Sequence, residues 1–245
     1  ENEQVWYTNW GWIGNPFFTV ERNVNQDQRK RYIGNLSLNH QTKEWLSIMG
    51  RIGMDNFNEN RHNRIASRSF TSPNGEFSDD TIDFLEVNAD YLISAKKKLR
   101  TNWEISGNLG GNTMYQRRKI HSQSGRNLIE HGVYELENVA PANRTDRSFL
   151  YERRINSTYG SVQVAYKNYL YFDMTGRNDW TSTLPKENNS YFYPSASASY
   201  VFSEHATKLP RFITFGKLRA SIAQVGKDAD PYQLQIGYDS LTTVD

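Results

Sequence analysis

The sequence predicts an all-β chain: an antiparallel up-and-down sheet of about eight strands, of the kind that forms a transmembrane β-barrel wall. Three observations point there. Apolar and polar residues alternate over stretches of about ten residues, the pattern of a strand with two unlike faces. The connections between these stretches alternate short and long, so in an up-and-down sheet the tight turns collect at one rim and the long loops at the other. Finally, the 245 residues include 15 Tyr, 12 Phe and 6 Trp, enough apolar area for a core or a lipid face, while no run approaches the ~20 apolar residues of a membrane-crossing helix.

The first stretch runs from about Tyr32 to His40, with Leu36 and Leu38 opposite Asn35, Ser37 and Asn39. From Trp45 to Asp55, Leu46, Ile48, Gly50, Ile52 and Met54 share a face, while Ser47, Arg51 and Asp55 point the other way with Met49. Between Ile82 and Ile93, Leu85, Val87, Ala89 and Tyr91 oppose Phe84, Glu86, Asn88 and Asp90. From Asn102 to Gly110, Trp103, Ile105 and Leu109 oppose Asn102, Glu104, Ser106 and Asn108. Val162, Val164 and Tyr166 oppose Ser161, Gln163 and Lys167; Leu170, Phe172 and Met174 oppose Tyr171, Asp173, Thr175 and Arg177. The clearest case is Tyr193 to Ser203, where Ala196, Ala198, Tyr200 and Phe202 alternate with Ser195, Ser197 and Ser199. Leu218, Ala220 and Ile222 against Lys217, Arg219 and Ser221 complete the set.

Gln41 to Glu44, Ala95 to Lys98 and Lys167-Asn168 read as short connections, and Glu204 to Gly216 as a moderate one. Asn56 to Thr81, Thr113 to Ile155 and Asn178 to Phe192 read as long loops. Pro16, Pro73, Pro141, Pro185, Pro210 and Pro231 fall in loops and Pro194 at a strand start, as prolines should. Most proposed strands reach the ~9–11 residues that cross a bilayer at a tilt of ~45°. A mean hydropathy of -0.78 agrees, because half of each strand faces a polar lumen. Trp45, Trp103, Tyr166, Tyr169, Tyr193 and Phe202, near strand ends, suit interfacial girdles.

Enzyme chemistry finds no support. The chain has no Cys, which removes thiol catalysis and thiolate metal sites. Its five histidines are scattered without a His-x-x-x-His pair, and neither a Gly-x-Ser-x-Gly elbow nor a phosphate loop occurs. Gly107, Gly110 and Gly111 lie in a strand-like stretch, where they ease a bend or close packing. Asp228 and Asp230 lack the further oxygen ligands of a calcium loop. No cofactor or metal is expected. A net charge of +2 is too balanced to imply a nucleic acid partner. The first residues carry no secretory signal, and the chain reads as an excerpt of a longer one.

The stretch from Tyr171 through Gly176-Arg177-Asn178-Asp179-Trp180-Thr181-Ser182-Thr183-Leu184-Pro185 to Tyr191-Phe192-Tyr193-Pro194-Ser195 and Val201-Phe202-Ser203-Glu204 resembles the barrel of the SusC/RagA family of TonB-dependent outer-membrane transporters. The resemblance resumes at Gly216-Lys217-Leu218-Arg219-Ala220-Ser221, Gln224-Val225-Gly226 and Asp230-Pro231-Tyr232, and extends upstream to Asn15-Pro16-Phe17-Phe18, Arg31 to Asn35 and Trp45-Leu46. Gly132-Val133-Tyr134 to Asn138 is a weaker likeness. It implies that residues 1–245 are a partial barrel domain, about eight strands of a larger 22-stranded barrel, with plug and barrel ends absent. It also implies a multi-pass protein of a Gram-negative outer membrane. Its function would be TonB-dependent import of oligosaccharides or peptides, with a SusD-like surface lipoprotein and the TonB complex as partners through regions outside this chain.

Within that reading, Arg51, Asp55, Glu86, Asp90, Glu104, Asp173, Arg177, Lys217 and Arg219, with Asp83, form the lumen-facing polar row, paired with one another, with water or with a plug. Trp6, Trp10, Trp12, Phe17, Phe18 and Trp180 are the ligand-binding candidates, because rings stack on the apolar face of a sugar. Packing within a loop cap is the competing role for the N-terminal rings, and ordering of the loop for Trp180. Lys96-Lys97-Lys98 reads as a solvated turn or a neighbour of lipid headgroups. Two other architectures stay open: a complete eight-stranded barrel acting as an anchor or adhesin, and a soluble all-β carbohydrate-binding module.

Overall fold

The computed structural model describes residues 14–206, 210, 212–226 and 228–233. The elements are α1 (Pro16–Arg22), β1 (Val24–Lys43), β2 (Leu46–Ile65), β3 (Glu76–Arg100), β4 (Trp103–Arg126), β5 (Arg144–Tyr166), β6 (Leu170–Thr181), β7 (Ser190–Tyr200), α2 (Phe202–His205) and β8 (Leu218–Ala223). The strands form one open antiparallel sheet in the order β1-β2-β3-β4-β5-β6-β7-β8, each beside its neighbour in sequence. All eight predicted strands are present, and short turns at 44–45, 101–102 and 167–169 alternate with longer links at 66–75, 127–143 and 182–189.

Strand length corrects the sequence reading. Much of Asn56 to Thr81 and Thr113 to Ile155, expected as loop, continues the strands, so β1 to β5 have 20, 20, 25, 24 and 23 residues. That is about twice what a bilayer crossing needs. The extensions escape a hydrophobicity reading because both their faces are polar, as in Asn56-Phe57-Asn58-Glu59-Asn60-Arg61-His62. The seventh strand starts earlier than expected, at Ser190. It stops at Tyr200, and Phe202 to Ser203 turn into α2. Pro194 therefore lies inside β7, not at its start. It faces Gly176 on β6, and on the β8 side, at the end of that ladder, its carbonyl accepts from the Gln224 amide at 3.1 Å while the ring has no N–H to return the bond. Pro16, expected in a loop, opens α1: the Asn15 side chain accepts from the Phe17 and Phe18 amides at 2.9 and 3.4 Å, a side-chain cap followed by proline at the first helical position.

The described residues divide into two compact units, one drawn from 14–33, 55–85 and 117–151, the other from 34–54, 86–116 and the described part of 152–233. In the first, Phe77, Leu128 and Val139 form a small buried core, with Tyr134 and Leu136 packed on it. Asn138 holds the 127–143 link: its amide donates to the Glu130 and Val133 carbonyls, both at 2.7 Å, and its oxygen accepts from the Glu130 amide at 2.8 Å. A Cβ on Gly125 would stand 2.6 Å from Val139 Cγ2 and 2.8 Å from the Phe77 ring. Gly125→Val is therefore expected to open this core and make the 127–143 link the first site of limited proteolysis; unchanged cleavage would contradict the packing.

In the second unit, backbone register sorts side chains by face. Val164↔Phe172, Phe172↔Ala198 and Ala198↔Ala220 form one apolar row across four strands, and Val162↔Met174, Met174↔Ala196 and Ala196↔Ile222 form the next. One residue along, Gln163↔Asp173, Asp173↔Ser197 and Ser197↔Ser221 form a polar row on the opposite face. The apolar rows are not covered: Phe172, Met174, Leu218 and Ile222 are 45%, 65%, 64% and 76% exposed.

Candidate functional site

The polar face is held by pairs that cross the strands. Arg31 forks onto Asp55 with contacts of 2.9 and 2.6 Å, a bidentate geometry that fixes both side chains. Arg51 meets Asp90 at 3.1 Å, and Asp90 also accepts from Asn112 at 2.8 Å. Glu86 accepts from Asn88 and Gln116, each at 2.9 Å, and Glu104 pairs with Lys96 at 2.8 Å. Asp83, expected in the same row, falls instead on the opposite face, two-residue steps from Leu85 and Val87 on β3, where it accepts from Asn58 at 2.7 Å. Asp173 is held by Gln163 at 2.5 Å and Ser197 at 3.3 Å. Arg177 donates to Asp179 at 2.7 Å and Ser157 at 2.9 Å, with its guanidinium 5.9 Å from the Tyr159 ring.

Lys217 lies over Tyr171 at 5.9 Å. With Arg219 it borders a concavity of about 510 Å³ whose other lining includes Ser195, Ser197 and Ser199. Small hydroxyls two apart on β7 leave this floor low, and two cations stand at its side. The nine residues of the predicted polar row thus split between a hydrogen-bonded network and a cationic margin at Lys217 and Arg219.

The ring candidates scatter. Trp6, Trp10 and Trp12 lie outside the described residues. Phe17 is 82% exposed on α1, whereas Phe18 lines a cleft of about 520 Å³ with Glu21, Arg22, Arg68, His131 and Tyr134. Trp180 shares the face of Phe172 and Met174, two-residue steps along β6, and borders a shallow surface depression with Leu109 and Phe192. It belongs to the apolar face rather than the polar one.

Sequence reasoning missed Glu59. It is 2% exposed, clasped by Arg29 at 2.7 Å and Arg61 at 2.6 Å, with Arg29 also over the Phe57 ring at 4.8 Å. Glu59 lies past Met54, the last residue of the apolar row on β2. The hydrogen bond from Arg61 holds its carboxyl below the ordinary range; burial opposes this, and Arg29 adds to the lowering. A depressed folded value stabilises above the ordinary carboxylate range, and the contribution is lost as pH falls through the folded value. Amide-exchange protection around residues 56–62 is expected to drop with acid in the native protein and to lose that pH dependence in Glu59→Gln.

Asp228 is held too, by Thr181 at 2.9 Å, Thr183 at 3.3 Å and Arg153 at 3.6 Å. It is an anchor between the segment after β8 and the end of β6. Among the described residues no group of three or more His, Cys, Asp or Glu is placed to hold a metal ion.

No protein-family model matches the chain. Among characterised relatives, TonB-dependent receptor P26 of Formosa agariphila is 28% identical over 232 residues, covering 89% of this chain and 23% of that protein. TonB-dependent receptor P3 of the same organism is 30% identical over 99 residues, 40% of this chain and 10% of that protein. The deciding observation is that the fold agrees. The chain superposes on the RagAB peptide transporter with a TM-score of 0.72 over 89% of its length, and on the RagAB peptide importer in its open-open state with 0.73 over 91%, both at 13% identity. In sequence and in fold the chain is similar to a barrel segment of TonB-dependent receptors. It spans about a quarter of the length of P26 and of the RagAB chains. The likeness is to outer-membrane receptor barrels, and the exposed apolar rows of β5 to β8 match the side that such a wall turns to lipid.

Proposed function

We propose that the complete receptor imports oligosaccharides or peptides across the outer membrane, with residues 1–245 supplying part of the barrel wall and the plug and TonB contact lying elsewhere in that protein. The observation that carries this is the strict division of β5 to β8 into an uncovered apolar face and a hydrogen-bonded polar face, the arrangement a wall needs between lipid and an aqueous lumen. Peptide enters the reading through the likeness to the RagAB peptide transporter; the same likeness to a two-protein complex supports a SusD-like lipoprotein as partner. The polar row (Arg51, Asp55, Glu86, Asp90, Glu104, Asp173, Arg177, Lys217 and Arg219) keeps the lumen wet, and Lys217 and Arg219 are its members best placed to meet solute. Among the rings, Phe18 in its cleft is the best ligand candidate.

The test is uptake of a labelled peptide and oligosaccharide panel by cells carrying the complete receptor. Uptake of at least one class is expected to vanish when either the receptor or TonB is deleted. Uptake that persists without TonB would overturn the proposal.

A further inference from the structure

The short-turn rim of the sheet combines rings and lysines in one line. Backbone bonds tie the turns together: the Lys96 amide donates to the Trp45 carbonyl at 2.9 Å, Lys167 to Asn102 at 2.8 Å and Val201 to Tyr169 at 2.7 Å. Along this line Trp103 packs on Tyr166 with centroids 4.6 Å apart, Tyr166 meets Tyr169 at 5.6 Å, and Tyr169 meets Tyr200 at 6.1 Å. Tyr166 and Tyr200 continue the apolar rows of β5 and β7, so this belt edges the lipid face.

Cations sit on the rings. Lys43 Nζ lies 5.5 Å from the Trp45 ring and Lys167 Nζ 5.4 Å from the Tyr166 ring. Lys97 continues the row of Tyr91, Ile93 and Ala95 by two-residue steps on β3 and is exposed, so its stem lies against hydrocarbon while its ammonium reaches the headgroup level. The acids among the neighbouring rim residues are Glu44, Glu104 and Glu204, and Lys96 already neutralises Glu104. Rings at the level of the ester groups with ammonium groups just beyond are complementary to phosphate, not to the choline or ethanolamine that caps a zwitterionic lipid. Short turns mark the periplasmic end of such barrels, and there the leaflet is phospholipid.

We propose that this rim is a docking surface for anionic phospholipid, with Lys43, Lys97 and Lys167 contacting phosphatidylglycerol-type headgroups. The proposal rests on the membrane face and not on transport, so a failed uptake assay leaves it standing. In the complete receptor reconstituted in mixed bilayers, spin-labelled phosphatidylglycerol is expected to associate roughly twofold or more over spin-labelled phosphatidylcholine, the preference shrinking with salt. The triple variant K43Q/K97Q/K167Q should bring that ratio near one. The matching Lys→Arg triple should keep it, as should Lys→Gln at Lys119 and Lys186, which lie away from the turns. No preference in the native receptor, a ratio unchanged by the Gln triple, or preferential displacement of the label by lipopolysaccharide would overturn it.

Discussion

Met174→Arg lowers the stability of the complete receptor in lipid by about 2–4 kcal/mol, whereas Thr175→Arg, one residue on, changes it by less than about 1 kcal/mol. The difference follows from register. Met174 lies opposite Ala196, which stands four residues from Tyr200 and four from Phe192. Eight steps of about 3.4 Å, tilted by about 40°, separate those two rings by roughly 20 Å along a bilayer normal. Met174 thus sits near mid-depth, where a guanidinium has no water and no partner. Thr175 lies on the polar face, where its hydroxyl meets Ser195 at 2.6 Å beside the solvent-filled concavity. Urea unfolding in lipid vesicles measures both. Equal costs at the two positions would mean that the faces are not lipid and water.

The second large effect concerns Gly110 and Gly111 on β4. Neighbours in a strand face opposite ways, and each glycine is covered by a tyrosine from an adjacent strand. A Cβ on Gly110 would lie 2.6 Å from the Tyr159 ring, and one on Gly111 2.6 Å from the Tyr91 ring. Gly110→Leu is expected to cost about 1–3 kcal/mol by displacing Tyr159, which also takes the ring from beside Arg177. In a Tyr159→Ala background the same replacement should cost little. Additive costs in that cycle would contradict the contact.

The bilayer-crossing bands were legible because hydrocarbon outside and water inside impose a two-residue period on every strand. Phe172 and Met174 against Asp173 and Thr175 could be assigned to faces without coordinates. Beyond the band that period fades. At Asn58, Glu59 and Asn60 both faces are polar, and the strand is held by partners distant in sequence: Arg29 for Glu59, Asp83 for Asn58. Arg29 itself lies before Tyr32, where the first strand was expected to begin. The α1 turn did carry a local signal, Asn15 capping with Pro16 next, in a stretch too short for a helical period to show. For Trp180, counting two-residue steps from Met174 would have placed the ring on the apolar face; its membership of the Gly176 to Pro185 motif drew attention to a ligand role instead.

Single-cysteine spin labels at each position from Leu170 to Thr181 in the complete receptor, read for collision with oxygen dissolved in lipid and with a water-soluble nickel chelate, test the division of faces directly. Oxygen access should peak at Phe172 and Met174, and nickel access at Asp173 and Thr175, alternating residue by residue. Uniform access along the strand, or the opposite phase, would contradict it.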